Sequence, residues 1–248
     1  MIRAILFDCW GTILHAPRLM TRDSAIEAFH RTLRELGYEV DFKDFREAYL
    51  REAEQQHREA DRDYRELDYA ERLRRVLEAI GLEGDAKRLS EEIWRRYLDE
   101  WPRRSKLDPE APGLLRRLRA SYRLALVTNF PDLSTAHRVF DTLNLWEYFD
   151  AIVVSAEVGY RKPSPIIFQK ALEQLRVEPH EAVMVGDTLE ADVEGAKSLG
   201  MKTILIDPER ARRGEKPEGT DAIIKSLREL EKALERVGGD FNPLKTQL

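Results

Sequence analysis

The chain has 248 residues, 42% of them hydrophobic and 35% charged, and a formal net charge of −5. That apolar content suffices for an ordinary buried core in one large domain or two smaller ones. Charges of both signs are interspersed, so no basic stripe points to a nucleic-acid partner and no polybasic run to a membrane surface.

The apolar run at 2–7 is too short for a signal peptide or a membrane span, and no later stretch reaches bilayer length, so a cytoplasmic protein is expected. A single cysteine, Cys9, excludes an internal disulfide and a cysteine-rich zinc site. Strand periodicity turns Cys9 away from the face Asp8 presents, as a small apolar filler. Three Asn and five Gln stand against abundant Arg and Glu at helical spacing, a balance that leans toward a thermophilic source.

Residues 2–7 read as a strand buried on both faces, with Asp8 where it stops. From about 17 to 104 the pattern is helical almost throughout. Ala25, Ile26, Phe29, Leu33 and Leu36 repeat at three and four before Gly37, and Asp41 or Asp44 can cap the next helix. Phe45, Tyr49 and Tyr64 mark a long polar helix or helix pair. Tyr69, Leu73, Val76, Leu77 and Ile80 before Gly81 mark a third, and Leu89, Ile93, Tyr97 and Trp101 a fourth that stops near Pro102.

After Pro109 short strands and helices alternate. Strands are expected at 123–128, 151–155, 182–185 and 202–206, and helices around Leu114–Leu118 and at 135–143, 165–175 and 192–199. Residues 210–219 read as a loop, 221–224 as a short strand, Leu227, Leu230 and Leu234 as an exposed-edge helix, and 241–248 as a loosely held end. This alternation predicts an α/β fold with a doubly wound, mostly parallel sheet. The division is a sheet domain of 1–16 and 105–248 with an all-helical domain, 17–104, inserted after the first strand.

Four segments carry chemistry. Asp8-Cys9-Trp10-Gly11-Thr12 puts a carboxylate at a strand end, as a candidate nucleophile or metal ligand, or simply a strand running into a turn. Thr128-Asn129 ends another apolar run with a hydroxyl and an amide. Lys162-Pro163 places an ammonium before a helix, where a solvated lysine is the ordinary alternative. Gly186-Asp187 leads to Asp192; apart from Asp8, a turn residue and a helix N-cap would explain the pair.

Taken in order, Asp8-x-x-Gly-Thr, Thr128-Asn129, Lys162-Pro163 and Gly186-Asp187-x4-Asp192 resemble the four motifs of the haloacid dehalogenase superfamily of hydrolases, over residues 2 to about 227. The helical insertion resembles that superfamily's cap, which can close over the sheet's carboxyl edge and select substrate. The resemblance implies a phosphatase acting on a small phosphorylated metabolite; the polar helices of the insertion suit either a monomer, facing solvent, or a homodimer, pairing between chains. Asp8 would attack phosphorus to form an aspartyl phosphate, which water then hydrolyses. Mg²⁺ would be held by Asp8, by the Trp10 backbone carbonyl and by Asp187, with Asp192 behind them. Thr128, Asn129, Lys162 and Trp10 would surround the transferring group.

Trp10 departs from the pattern, because ordinary phosphatases of that superfamily carry there a second aspartate that protonates the leaving group. Either the substrate leaves easily, or another group serves, or turnover is slow. Of the histidines, His57 in the helical insertion is the one to test for that task, although an exposed surface role suits it. His15, His30, His137 and His180 show no partner at useful spacing, with His15 near the first motif. An aromatic at this position also resembles the dehalogenase branch, which attacks carbon without a metal but has neutral residues where this chain has Asp187. A protein of this fold that only binds is a third reading. Arg46 or Arg51 could grip a substrate carboxylate, or lie on a solvated helix face.

Overall fold

The computed structural model describes residues 1–15 and 21–238. By its internal contacts the chain divides into two compact units, Met1–His15 with Lys106–Leu248, and Ala16–Ser105. In chain order, β1 (Ala4–Phe7) and a short β2 (Leu14–His15) precede five helices of the second unit. These are α1 (Arg22–Glu35), α2 (Phe42–Ala60), α3 (Tyr69–Ala79), α4 (Ala86–Leu98) and a single turn, α5 (Trp101–Arg104). The chain re-enters the first unit with β3 (Lys106–Leu107), α6 (Ala111–Arg119), β4 (Arg123–Thr128), α7 (Leu133–Thr142), β5 (Ala151–Val154), α8 (Ser155–Val158) and α9 (Pro165–Leu175). It continues with β6 (Ala182–Gly186), α10 (Gly195–Ser198), β7 (Lys202–Ile206), α11 (Pro208–Arg213), β8 (Ala222–Ile224) and α12 (Leu230–Arg236).

Six strands form one sheet in the order β5-β4-β1-β6-β7-β8, every neighbouring pair parallel. β1 has no polar side chain and is buried at all four positions, which suits a central strand covered on both faces. Ala4 and Leu6 join Ala125, Val127, Ala151 and Val153 on one side, packed under Ile167, Phe168, Ala171, Leu172 and Leu175 of α9. Phe7 aligns with Leu126 of β4 and with Val185 of β6, so these three strands end within two residues of one another. The chain winds outward from β1 in both directions, and a crevice for ligands forms beyond the carboxyl ends at such a reversal.

The helical unit has its own core, in which Ile26, Phe29, Leu33, Phe45, Tyr49, Leu73, Val76, Leu77, Leu89 and Ile93 are buried. There α3 packs on α2 and α4, and α1 on α4. Asp41 caps α2 by accepting from the backbone N–H of Lys43 and Asp44, and Asp68 caps α3 by accepting from that of Glu71 at 2.9 Å. Each cap stabilises its helix by about 1 kcal/mol.

Several expectations change. Tyr64 is not helical; its φ of 56° places it in a left-handed turn after α2 has ended. Pro102 does not stop α4, which ends at Leu98; it lies in the first turn of α5, where its missing N–H costs nothing. Residues 210–219 are not all loop. Asp207 accepts from the N–H of Glu209 and Arg210, Pro208 opens the turn, and Gly214 closes α11 at φ 69°. Caps at both ends outweigh a loop-like composition. Asp192 does not start a helix, because it lies inside a π-helical turn, Leu189–Glu194, that runs into α10. The edge helix α12 is not exposed along its apolar side, since Leu230, Ala233 and Leu234 are buried. β2 and β3 pair antiparallel, Leu14 with Leu107 and His15 with Lys106, in strands too short to show a period. Residues 241–248 lie outside the described residues. Among the described residues no helix is long and apolar enough to cross a membrane.

Candidate active site

The parallel register fixes where the chemistry-bearing residues go. Asp8 comes directly after β1, Thr128 is the last residue of β4, and Gly186 ends β6 with Asp187 next. Lys162 stands shortly before α9, where Ser164 caps the helix. Residues far apart in the chain thus meet at one edge of the sheet.

Lys162 is the hub. It is 2% exposed, and its Nζ donates to Asp8 Oδ1 at 2.5 Å, to Asp192 Oδ1 at 2.7 Å and to the Val127 carbonyl at 2.9 Å. All three ammonium protons are engaged, which is what makes burial of the charge tolerable. Burial alone would lower the pKa of Lys162, but Asp192 and Asp8 outweigh it and hold the ammonium protonated. The alternative of a solvated lysine is therefore excluded by geometry.

Carboxylate oxygens of Asp8, Asp187 and Asp192 lie within 4.8 Å of one another. Asp8 and Asp192 are buried, whereas Asp187 is open to solvent as a residue while its carboxyl packs against the first loop. Burial pushes Asp8 up to about 7 against the pull of Lys162, with the charges of Asp192 and Asp187 adding to the rise. Asp187 is also raised, by partial desolvation first and by Asp192 second. Three carboxylates facing one ammonium leave an excess of negative charge, and hard oxygen donors so grouped suit a divalent cation such as Mg²⁺.

Two glycines permit this packing. A Cβ on Gly11, whose φ is 90°, would fall 1.9 Å from Oδ2 of Asp187, and one on Gly186 would fall 2.2 Å from Oδ2 of Asp192. The loop between β1 and β2 is tight, with the Cys9 carbonyl accepting from the N–H of Ile13 at 3.0 Å and of Leu14 at 2.8 Å. Cys9 itself is buried, and burial raises its thiol well above the ordinary range, so it is no thiolate nucleophile. Asp192 is held by the Thr188 N–H, which donates to its Oδ2 at 3.0 Å, and the Thr188 hydroxyl donates to Asp187 Oδ1 at 3.2 Å.

Thr128 is buried at the end of β4. The Asn129 side chain does not face an incoming group: its Oδ1 accepts from Lys162 N–H at 2.7 Å and its Nδ2 donates to the Lys162 carbonyl at 3.0 Å. It clamps the backbone that carries the ammonium. Trp10 stacks on Phe130, centroids 4.6 Å apart and planes 22° from parallel. Ser155, read from sequence as the end of a strand, opens α8 and accepts from the Phe130 N–H at 2.8 Å, fixing the turn after β4. A serine in that position carries no signal in the sequence, whereas Thr188 could have been found from its place beside Asp187.

The other residues singled out have contacts of their own. His57 is half-buried rather than exposed, and its Nδ1 bonds the Ala53 carbonyl at 2.6 Å. His15 does have a partner, Asp108, at 3.7 Å, supplied by the β2–β3 pairing. His30 bonds the Val40 carbonyl at 2.8 Å, and the His137 ring packs edge-on to Trp146. Arg46 pairs with Asp23 at 3.2 Å, and Arg51 lines a recess with Glu39, Asp44 and Glu47 within the helical unit.

Comparison with known proteins points the same way. The family model of haloacid dehalogenase-like hydrolases matches residues 2–200. The ribulose-1,5-bisphosphate 5-phosphatase of Halopiger xanaduensis is 32% identical over 216 residues, 84% of this chain and 86% of that protein. The phosphoglycolate phosphatase of Aquifex aeolicus is 34% identical over 206 residues, 82% of this chain and 84% of that protein. The crystal structure of a HAD phosphatase from Thermococcus onnurineus superposes with a TM-score of 0.67 at 28% identity, covering 97% of this chain and all of that one.

Proposed function

The chain belongs to the haloacid dehalogenase-like hydrolases, and on that premise we propose that it is a Mg²⁺-dependent phosphatase of a small phosphorylated metabolite, working through an aspartyl phosphate on Asp8. The observation that carries this reading is the grouping of Asp8, Asp187 and Asp192 around one buried lysine. Relatives named as phosphatases of ribulose-1,5-bisphosphate and of phosphoglycolate support the substrate class.

Asp8, Asp187 and the Trp10 backbone carbonyl would hold Mg²⁺, which would supply the positive charge that offsets the carboxylates and the phosphoryl oxygens. The free oxygen of Asp8 attacks phosphorus, and the bond to the leaving oxygen breaks with its electron pair. Water then attacks the phosphorus of the aspartyl phosphate, and Asp8 departs as carboxylate. Lys162 pulls Asp8 toward its ionised form and holds it in place, and Thr128 with the Asn129 backbone N–H receives the phosphoryl oxygens. Asn129 acts by holding Lys162. Asp192 anchors Lys162 and the turn that carries Asp187.

Trp10 has no proton to give to an alkoxide, so the reading favours substrates whose leaving group needs none, such as acyl phosphates. A cytoplasmic setting fits a buried, unpaired Cys9. Trp10 is also the one observation that favours the dehalogenase branch; against it, Asp187 and Asp192 would repel a haloacid's carboxylate. The test is a panel of phosphate esters, acyl phosphates and 2-chloropropionate, run with Mg²⁺ and with a chelator on wild type and Asp8→Asn. Phosphate release that needs both Mg²⁺ and Asp8 is expected, and chloride release in the chelator would overturn it.

A further inference from the structure

Arg72, in the first turn of α3, is 3% exposed. Its Nε donates to Gln56 Oε1 at 2.8 Å and its Nη1 to the Tyr49 hydroxyl at 3.2 Å, but Nη2 is buried with no hydrogen-bond partner. No acidic side chain among the described residues pairs with it. Its neighbours on the same helix behave otherwise: Arg74 pairs with Glu71 and Glu78, and Arg75 with Glu71 and Glu59, near the surface. Arginines are almost never this deeply buried without an anion, because the cost of removing the charge from water goes unopposed.

The surroundings are built to hold the guanidinium plane while leaving one edge unused. Its carbon stands 4.4 Å from the Tyr69 ring centroid and 5.5 Å from that of Tyr49, so aromatic faces attract the cation without neutralising it. Gln56 is fixed in turn, its Nε2 donating to the Asp68 carbonyl at 2.8 Å, which aims Oε1 at Arg72. Gln56 and Tyr69 are only half-buried, so the cradle lies one side chain beneath the surface.

We propose that Arg72, framed by Gln56, Tyr49 and Tyr69, is an anion-binding site of the helical unit, taking a carboxylate or phosphate group on its free Nη2 edge. Arginine's planar fork matches either oxyanion, and the missing countercharge is the one this site lacks. The site stands whether or not the phosphatase reading holds.

The test uses the full chain and malonate, which carries two carboxylates and no phosphoryl group. Thermal unfolding is followed with rising malonate at constant ionic strength for wild type, Arg72→Gln and Arg72→Lys. A saturable rise in Tm is expected for wild type, none for Arg72→Gln, and a smaller one for Arg72→Lys, which keeps the charge but not the fork. Equal shifts in all three proteins, or none in wild type, would overturn the site. Kinetics on phosphoglycolate and ethyl phosphate then tell the source of the anion. A KM raised about ten- to a hundredfold by Arg72→Gln for phosphoglycolate alone makes it the substrate's own acid. Unchanged KM values beside a lost malonate response make it a separate ligand.

Discussion

Gly11 and Asp187 are in such close contact that a β-carbon on the glycine would lie 1.9 Å from the carboxylate's Oδ2. Gly11 also has a φ of 90°, a conformation that side chains resist. Gly11→Ala is therefore expected to destabilise the fold by about 1–3 kcal/mol and to displace Asp187. Mg²⁺ affinity, measured by titration calorimetry, should fall about ten- to a hundredfold. Affinity equal to wild type would show that Asp187 does not depend on this contact.

Asp8→Asn keeps the size of the side chain and removes its charge. With Asp8 as the proposed nucleophile, loss of its carboxylate is expected to lower phosphate release by about 10³-fold or more. Lys162 retains Asp192 at 2.7 Å, so the variant stays folded, which thermal unfolding checks. Substantial turnover by a folded Asp8→Asn protein would move the nucleophile elsewhere.

Burial sets the metal-free pKa of Asp8 to about 7. Below that value the oxygen carries a proton that must leave before it can bind a cation. Mg²⁺ affinity is thus expected to rise about tenfold per pH unit up to pH 7 and to flatten above it, with protons released on binding. Calorimetry in buffers of different ionisation enthalpy counts those protons; a pH-independent affinity from pH 6 to 8 contradicts the assignment.

Asp221 accepts from Lys202 at 3.0 Å, from the Thr203 N–H at 3.0 Å and from Lys197 at 3.3 Å. Burial alone would raise its pKa, but these donors outweigh it and hold the carboxyl below its usual range. The stabilisation is therefore present above the unfolded-state value and is lost as pH falls through the lower folded-state value. Asp221→Asn should cost about 1–2 kcal/mol at pH 7 and almost nothing once wild-type Asp221 is protonated. A Tm difference of the same size at acid pH would locate the effect in packing instead.

Trp10 spends its ring on Phe130, 4.6 Å away. Replacing it with aspartate puts a carboxylic acid two residues after Asp8, the proposed nucleophile. On alkyl phosphates Trp10→Asp is expected to raise kcat by about ten- to a hundredfold, at a cost of about 1–3 kcal/mol of stability from the lost stack. The gain should vanish on acyl phosphates, whose leaving group needs no proton. A variant that is stable yet no faster on alkyl phosphates would place the proton donor in another part of the protein.

Much of this molecule is legible in its sequence. Strands β4 and β7 and helix α9 have the limits read there, since an apolar run hidden on both faces, or a serine and proline opening a periodic segment, carries its own boundary. Asp8, Thr128 and Asp187 are readable as a set because each lies at the end of a buried strand, and a parallel sheet brings strand ends together. Helix α11 escapes that reading although its caps are in plain view, because its composition is that of a loop.

What local pattern determined was which residues stand at strand ends and which segments bury a face, because propensity and hydrophobic period act over a few positions. Tertiary structure alone decided that Lys162 reaches Asp8 across 154 residues of chain, that the Asn129 amide is spent on the lysine's backbone, and that Arg72 is buried without a countercharge. Strand order and depth of burial settle those relationships, and both arise from packing between segments that no short stretch of sequence contains.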